Sequence, residues 1–132
     1  MPGGTFTIQE PGSPHPHLYI ILGILDGNLI AVPLNTVTMY TDQTLILNKS
    51  DHPSFIRHDT SVSYDNMRSF DIASLQRLEA AVIQQAGIAG PKLFERREDC
   101  SPELLKRLQE PAFMSDMIAP KFESMLSRAL KT

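Results

Sequence analysis

Two apolar segments joined by an Asp-Gly pair constrain this chain more than any other feature. Residues 18–24 are short, Ile-rich and apolar, and residues 29–34 answer them after Asp26-Gly27-Asn28. A two-residue hairpin turn needs positive φ, which Asp-Gly tolerates. The pattern therefore predicts an antiparallel hairpin with at least one deeply buried strand. Pro33 has no N–H to give a ladder, so it predicts an edge position or a bulge for the returning strand.

Around this hairpin the first half reads as further short strands at 5–8, 36–40, 44–47 and 61–64, rich in Val, Thr and Tyr. Proline and glycine break residues 11–17, and a polar loop covers 48–53. After Asp71 the period changes. Ile72, Leu75, Leu78, Val82, Ile83 and Ala86 repeat every three or four residues, as one helix face does. Asp71 or Ser69 can cap that helix and Gly87 can end it. Ser101-Pro102 opens a second helix, which Pro111 is expected to stop, and Pro120 opens a third. The expectation is one α+β domain spanning 1–132, strand-rich over 5–64 and helical over 71–130. Its sheet would be a curled sheet or a compact barrel, followed by three C-terminal helices that pack on it or on a partner chain.

Composition narrows the class. Apolar residues make up 42% and charged residues 20%, which supports a packed core and argues against long disorder. No apolar run approaches the roughly 18 residues of a membrane span, and no secretory signal is apparent. Cys100 is the single cysteine. The expected location is therefore the cytoplasm, with no membrane association. Residues 1–66 carry six acidic and two basic side chains, and residues 67–132 carry nine and ten. Such a balance gives no bulk basic surface of the kind that nucleic-acid binding through charge requires.

Chemistry concentrates in the acidic half. His15-Pro16-His17 precedes the buried strand, and His52 and His58 flank Arg57. Imidazole changes charge near neutral pH and suits general acid–base catalysis, while a guanidinium clamps phosphate oxygens. If the sheet brings these segments together, they could cleave RNA without a metal. The same histidines also read as ordinary surface-loop side chains. A zinc site from His15, His17, Asp51 and His52 is a rival, but the spacing matches no metal motif. Asn35, Thr36, Thr38 and Thr41 could orient a phosphate oxygen, and Tyr64 could act as a phenol. Each is also ordinary strand or turn chemistry. Lys92, Arg96, Arg97, Lys106 and Arg107 alternate with acids, as on a solvated face. No Gly-rich phosphate loop and no Cys-x-x-Cys is present, so no cofactor is expected.

The run Leu18-Tyr19-Ile20-Ile21-Leu22, then Asp26-Gly27-Asn28 and the strand ending in Asn35-Thr36, resembles the first hairpin of MazF/PemK-like toxins. Ser61-Val62-Ser63-Tyr64, followed by Arg77-Leu78, is similar to that family's strand and helix start. The resemblance is one of pattern and covers about residues 17–85. It implies an SH3-like barrel, a homodimer of bacterial type, and cleavage of single-stranded RNA without metal. It also implies an antitoxin protein that occupies the RNA groove. His17 stands where the family has its catalytic arginine, and Asn35 or Thr36 where it has its catalytic threonine. His17, His52 or Arg57 would take the arginine's place. The resemblance thus implies His17, Thr36, His52 and Arg57 as catalytic, with Asn35, His58 and Tyr64 binding substrate. The alternative is a non-catalytic, barrel-type module that binds a protein partner or dimerises through its C-terminal helices. Phe113, Met114, Met117, Ile118, Phe122, Met125 and Leu126 would supply that apolar surface.

Overall fold

The computed structural model describes residues 2–9, 16–37, 41–48, 56, 58–84 and 94–131. The hairpin forms the middle of its sheet. β2 (His17–Leu25) and β3 (Asn28–Thr36) meet at Asp26 and Gly27, with φ of 51° and 78°. Two left-handed residues in a row make the tight turn that this sequence favours. The other strands are β1 (Thr5–Ile8), β4 (Ile46–Leu47), β5 (Thr60–Val62), β6 (Arg68–Asp71) and β7 (Phe94–Arg97). All pair antiparallel in the order β4-β5-β3-β2-β1-β7, with β6 joining β3 beside its first half.

The class is α+β, and among the described residues the sheet is open rather than a closed barrel. Both faces of β2 and β3 are apolar, so each needs its own cover. Ile20, Leu22, Ile30, Val32 and Val62 pack with Leu104, Leu108, Ala112, Leu126 and Ala129 of helices α2 (Pro102–Ala112) and α3 (Pro120–Leu130). Tyr19, Ile21, Leu29 and Ala31 face the other way and join Phe6, Phe70, Phe94 and Leu75 of α1 (Ile72–Gln84). Phe6 lies stacked between Tyr19 and Phe94, at 5.7 and 5.4 Å, with Phe70 edge-on at 5.5 Å. Offset and edge-on rings of this kind tie four strands together.

Several expectations change. Residues 71–130 are not all helical, because β7 lies between α1 and α2. Its Phe-Glu-Arg-Arg sequence carries one apolar side chain, too little for a period of two to register. β6 follows a one-turn 3-10 helix at Tyr64–Asn66, so Tyr64 leaves the strand. Thr36 ends β3 instead of starting a new strand, Val37 is irregular, and residues 38–40 lie outside the described set. Gly87, expected to end α1, also lies outside it. Pro111 sits in the last turn of α2 and the helix runs on to Ala112. Ser101 caps that helix by accepting from the Leu104 amide at 3.1 Å.

Pro33 lies in the most heavily paired strand, not at an edge. Its carbonyl accepts from the Ser63 amide at 2.9 Å, so its nitrogen points to the same side. Ser63 stands opposite Pro33 between β5 and β6, and its carbonyl accepts from the Asn66 amide at 3.0 Å, so it needs no donor from residue 33. The missing N–H therefore costs the ladder nothing. Pro33 is not at a bulge either; the bulge of this hairpin is in β2. Ile21 faces Ala31 and Gly23 faces Ile30, which leaves Leu22 as the extra residue.

Candidate functional site

The ladder between β2 and β3 ends at Tyr19 and Pro33. Beyond that pair β2 stays with β1, placing Leu18 against Thr7 and His17 against Ile8. β3 stays with β5, placing Asn35 against Ser61 and Thr36 against Thr60. The sheet forks there, and the fork holds the candidate residues. His17 begins β2, Asn35 and Thr36 end β3, and His58 stands two residues before β5.

Strand alternation sorts them further. His17 shares the face of Tyr19 and Ile21, and Asn35 shares the face of Ala31 and Leu29, so both belong to the α1 side. Thr36 is exposed and points to the opposite face. Of the two candidates for the threonine position, only Asn35 shares a face with His17. Asn35 is half-buried, and its amide donates to Ser63 Oγ at 2.7 Å. Ser63 is buried, so it fixes the amide's orientation and leaves the Asn35 Oδ1 lone pairs undirected by that bond. Ser63 was invisible as a site residue in the sequence, where it is one of several strand hydroxyls.

His58 is exposed, with Nδ1 3.1 Å from the Asp59 carbonyl. When Nδ1 carries the proton it donates to that carbonyl, and Nε2 keeps a lone pair that can accept a proton. Thr60 Oγ1 donates to the His58 carbonyl at 2.8 Å and steadies the turn into β5. His52 and Arg57, expected as catalytic, lie outside the described residues, as do His15, Asp51 and Thr38.

Tyr64 does not belong to the fork. It is fully buried, and its hydroxyl donates to the Leu108 carbonyl of α2 at 2.7 Å. Burial first, and the nearby Asp42 carboxylate second, push its phenol well above the usual range. Its position in the core against α2 makes it a tie between sheet and helix, and corrects the expectation that it binds substrate.

Among the described residues, no group of three or more His, Cys, Asp or Glu gathers as metal ligands would. No helix among them is long and apolar enough to cross a membrane. Cys100 is half-buried, and its surroundings, burial first and then Asp99 and Glu98, push its thiol up to about 11. A thiol so placed is a poor nucleophile at neutral pH. Comparison with protein-family models, curated proteins and solved structures finds no match.

Proposed function

We propose that the chain is a metal-independent endoribonuclease of the MazF/PemK-like toxin type, acting on single-stranded RNA at the sheet fork. The observation that supports this reading is the topology: His17 begins β2 and Asn35 lies near the end of β3, just past the Tyr19–Pro33 end of their shared ladder, and His58 stands two residues before β5, which pairs with that end of β3. Two imidazoles and a carboxamide at one fork suit in-line transesterification. One imidazole takes the proton of a ribose 2′-OH as O2′ bonds to phosphorus. The bond from phosphorus to the 5′-oxygen breaks, and the other imidazole protonates the leaving oxygen. The Asn35 amide, held by Ser63, orients the phosphate or the base. In this proposal the protein works in the cytoplasm, and an antitoxin would act by covering the fork.

The test is a mixed single-stranded RNA pool incubated with the protein in EDTA, with cut ends mapped. Discrete cuts ending in 2′,3′-cyclic phosphate are expected. His17→Ala should lower the rate by about 100-fold or more, whereas Thr36→Ala and Tyr64→Phe should retain most of it. Absence of cutting by folded protein would overturn the reading.

A second reading keeps the fold for protein binding. One observation favours it: Phe113, Met114 and Met117 stay exposed at the corner of α2 and α3, Met114 by 77%. Phe113 also lines an open groove with Pro120, Ser124, Ser127, Arg128 and Lys131. Glutamate at Met114 would weaken a partner bound there and leave RNA cleavage untouched.

A further inference from the structure

We propose that the Asn35 carboxamide is an oxyanion donor: with Oδ1 accepting from the Ser63 hydroxyl, it presents both N–H groups of Nδ2 to a phosphodiester oxygen at the fork. Asn35 Nδ2 and Ser63 Oγ lie 2.7 Å apart. With Nδ2 as the donor, Ser63 Oγ accepts, and the proton of its own hydroxyl has no acceptor among the described residues. Ser63 is 2% exposed, so bulk water does not reach that proton. A buried donor without an acceptor costs free energy. The carboxamide can remove that cost by itself. Its oxygen and nitrogen are close in size, so half a turn about the Cβ–Cγ bond exchanges them and moves no other heavy atom. Oδ1 then accepts the Ser63 proton. The separation favours the same arrangement, since about 2.7–2.8 Å is usual for O–H···O and about 2.9–3.0 Å for N–H···O.

The exchange changes what the fork offers a ligand. Nδ2 turned outward has two donors and no acceptor, which suits an oxyanion. A base edge such as that of adenine asks instead for one donor and one acceptor together, which the outward Nδ2 alone does not supply. Asn35 is half-buried at the end of β3 and shares its face with His17, whose imidazole is a cation when protonated. Thr36 is on the other face and does not share in this contact. The inference rests on the ribonuclease reading of the fork and states which part of the RNA Asn35 holds: the phosphate, not the base. As O2′ bonds to phosphorus, negative charge grows on the nonbridging oxygens. The two N–H groups, held in place through Ser63, donate to one of those oxygens and stabilise that charge.

The test follows the Asn35 Nδ2 protons by nitrogen–proton NMR of the wild-type chain, titrated with a single-stranded DNA oligonucleotide. DNA has the phosphodiester but lacks the 2′-OH, so it cannot be cut by this route. Both Nδ2 signals should move as binding saturates, because neither proton is tied to Ser63. Asn35→Asp keeps an oxygen for the Ser63 hydroxyl and replaces the two donors by an anionic oxygen. It should bind the oligonucleotide about tenfold or more weakly, the usual effect of losing hydrogen bonds to a charged group. In RNA cutting it should slow the rate and leave the cut sites unchanged. A changed choice of sites would mean that Asn35 reads a base, and would overturn the proposal. So would Nδ2 signals that stay in place at saturation, absence of binding by the wild-type chain, or binding by Asn35→Asp as tight as wild type. Signals that move while RNA stays whole would keep this inference and sink the ribonuclease reading. Cutting that Asn35→Asp leaves unchanged would do the reverse. The titration uses the wild-type chain and decides the matter even where the variant fails to fold.

Discussion

At the scale of single residues, much of this molecule turns on small groups in tight places. Gly23 follows the bulge in β2, on the side where α3 crosses. A Cβ there would lie 3.1 Å from the Ala129 Cβ and 3.4 Å from Leu126 Cδ1. Those neighbours belong to a helix packed at full density, so they cannot give way cheaply. Gly23→Ala is expected to destabilise the protein by about 1–3 kcal/mol through overpacking, read as a lower urea midpoint. An unchanged midpoint would mean that α3 shifts freely on the sheet. Asn35 shows the same economy at the candidate site. A single bond to buried Ser63 sets its amide, and strand alternation decides that it, rather than Thr36, shares the His17 face.

At the scale of elements, α1 illustrates how a short helix is anchored. Asp71 closes β6 and caps the helix, its Oδ2 accepting from the Ser74 amide at 2.9 Å and the Ser74 hydroxyl at 2.8 Å. Its other end of the junction is held by the Ile72 amide, which donates to the Gly27 carbonyl of the hairpin turn. The Ser74 hydroxyl, and then its amide, hold the Asp71 carboxyl below the usual carboxylate range, against an opposing effect of desolvation and with a smaller contribution from the Arg77 charge. A lowered native pKa means that the carboxylate stabilises the fold fully above the unfolded value. That contribution fades as pH falls through the lower native value. Protection factors of amides in the first turn of α1, which remove the intrinsic slowing of exchange in acid, should therefore fall as acid protonates Asp71. Asp71→Ala should show the faster exchange at neutral pH and lose the acid dependence. An acid profile identical in the variant and the wild-type protein would show that another group controls this end.

At the scale of the whole molecule, the C-terminal helices are fastened to the sheet by buried polar bonds as well as by apolar contact. Asp42, between β3 and β4, is buried, and its Oδ2 accepts from Ser115 Oγ at 2.6 Å at the corner of α2 and α3. Its Oδ1 accepts from the Thr44 amide and hydroxyl, and its carbonyl accepts from Ser61 Oγ at 2.7 Å. Ser115 Oγ in turn accepts from the Met117 amide at 3.1 Å, while Tyr64 and Gln109 make further bonds between sheet and α2. Because this network is satisfied, removing its centre should cost far more than a surface change. Asp42→Ala is expected to lose about 2–4 kcal/mol in urea unfolding and to speed exchange at Met117. A loss below about 0.5 kcal/mol, the level of an ordinary surface substitution, would show that apolar packing alone holds the corner.

What the sequence by itself determined is local. The Asp-Gly turn, the apolar strands on either side, the Ser101 cap and the helical faces of α1, α2 and α3 all arise from interactions within a few residues. Each was legible without the fold. Tertiary structure decided what depends on distant neighbours. The charged strand β7 exists because β1 offers it a ladder, not because its own pattern favours one. Pro33 is tolerated in a central strand because the facing Ser63 carbonyl already accepts from the Asn66 amide and needs no donor from residue 33. Asp42 and Tyr64 read as a loop acid and a strand-end phenol until α2 and its corner close over them. Face and end also belong to this class. A sequence lists His17, Asn35, Thr36 and His58, but only strand register and alternation place His17 and Asn35 on one face of the fork and Thr36 on the other.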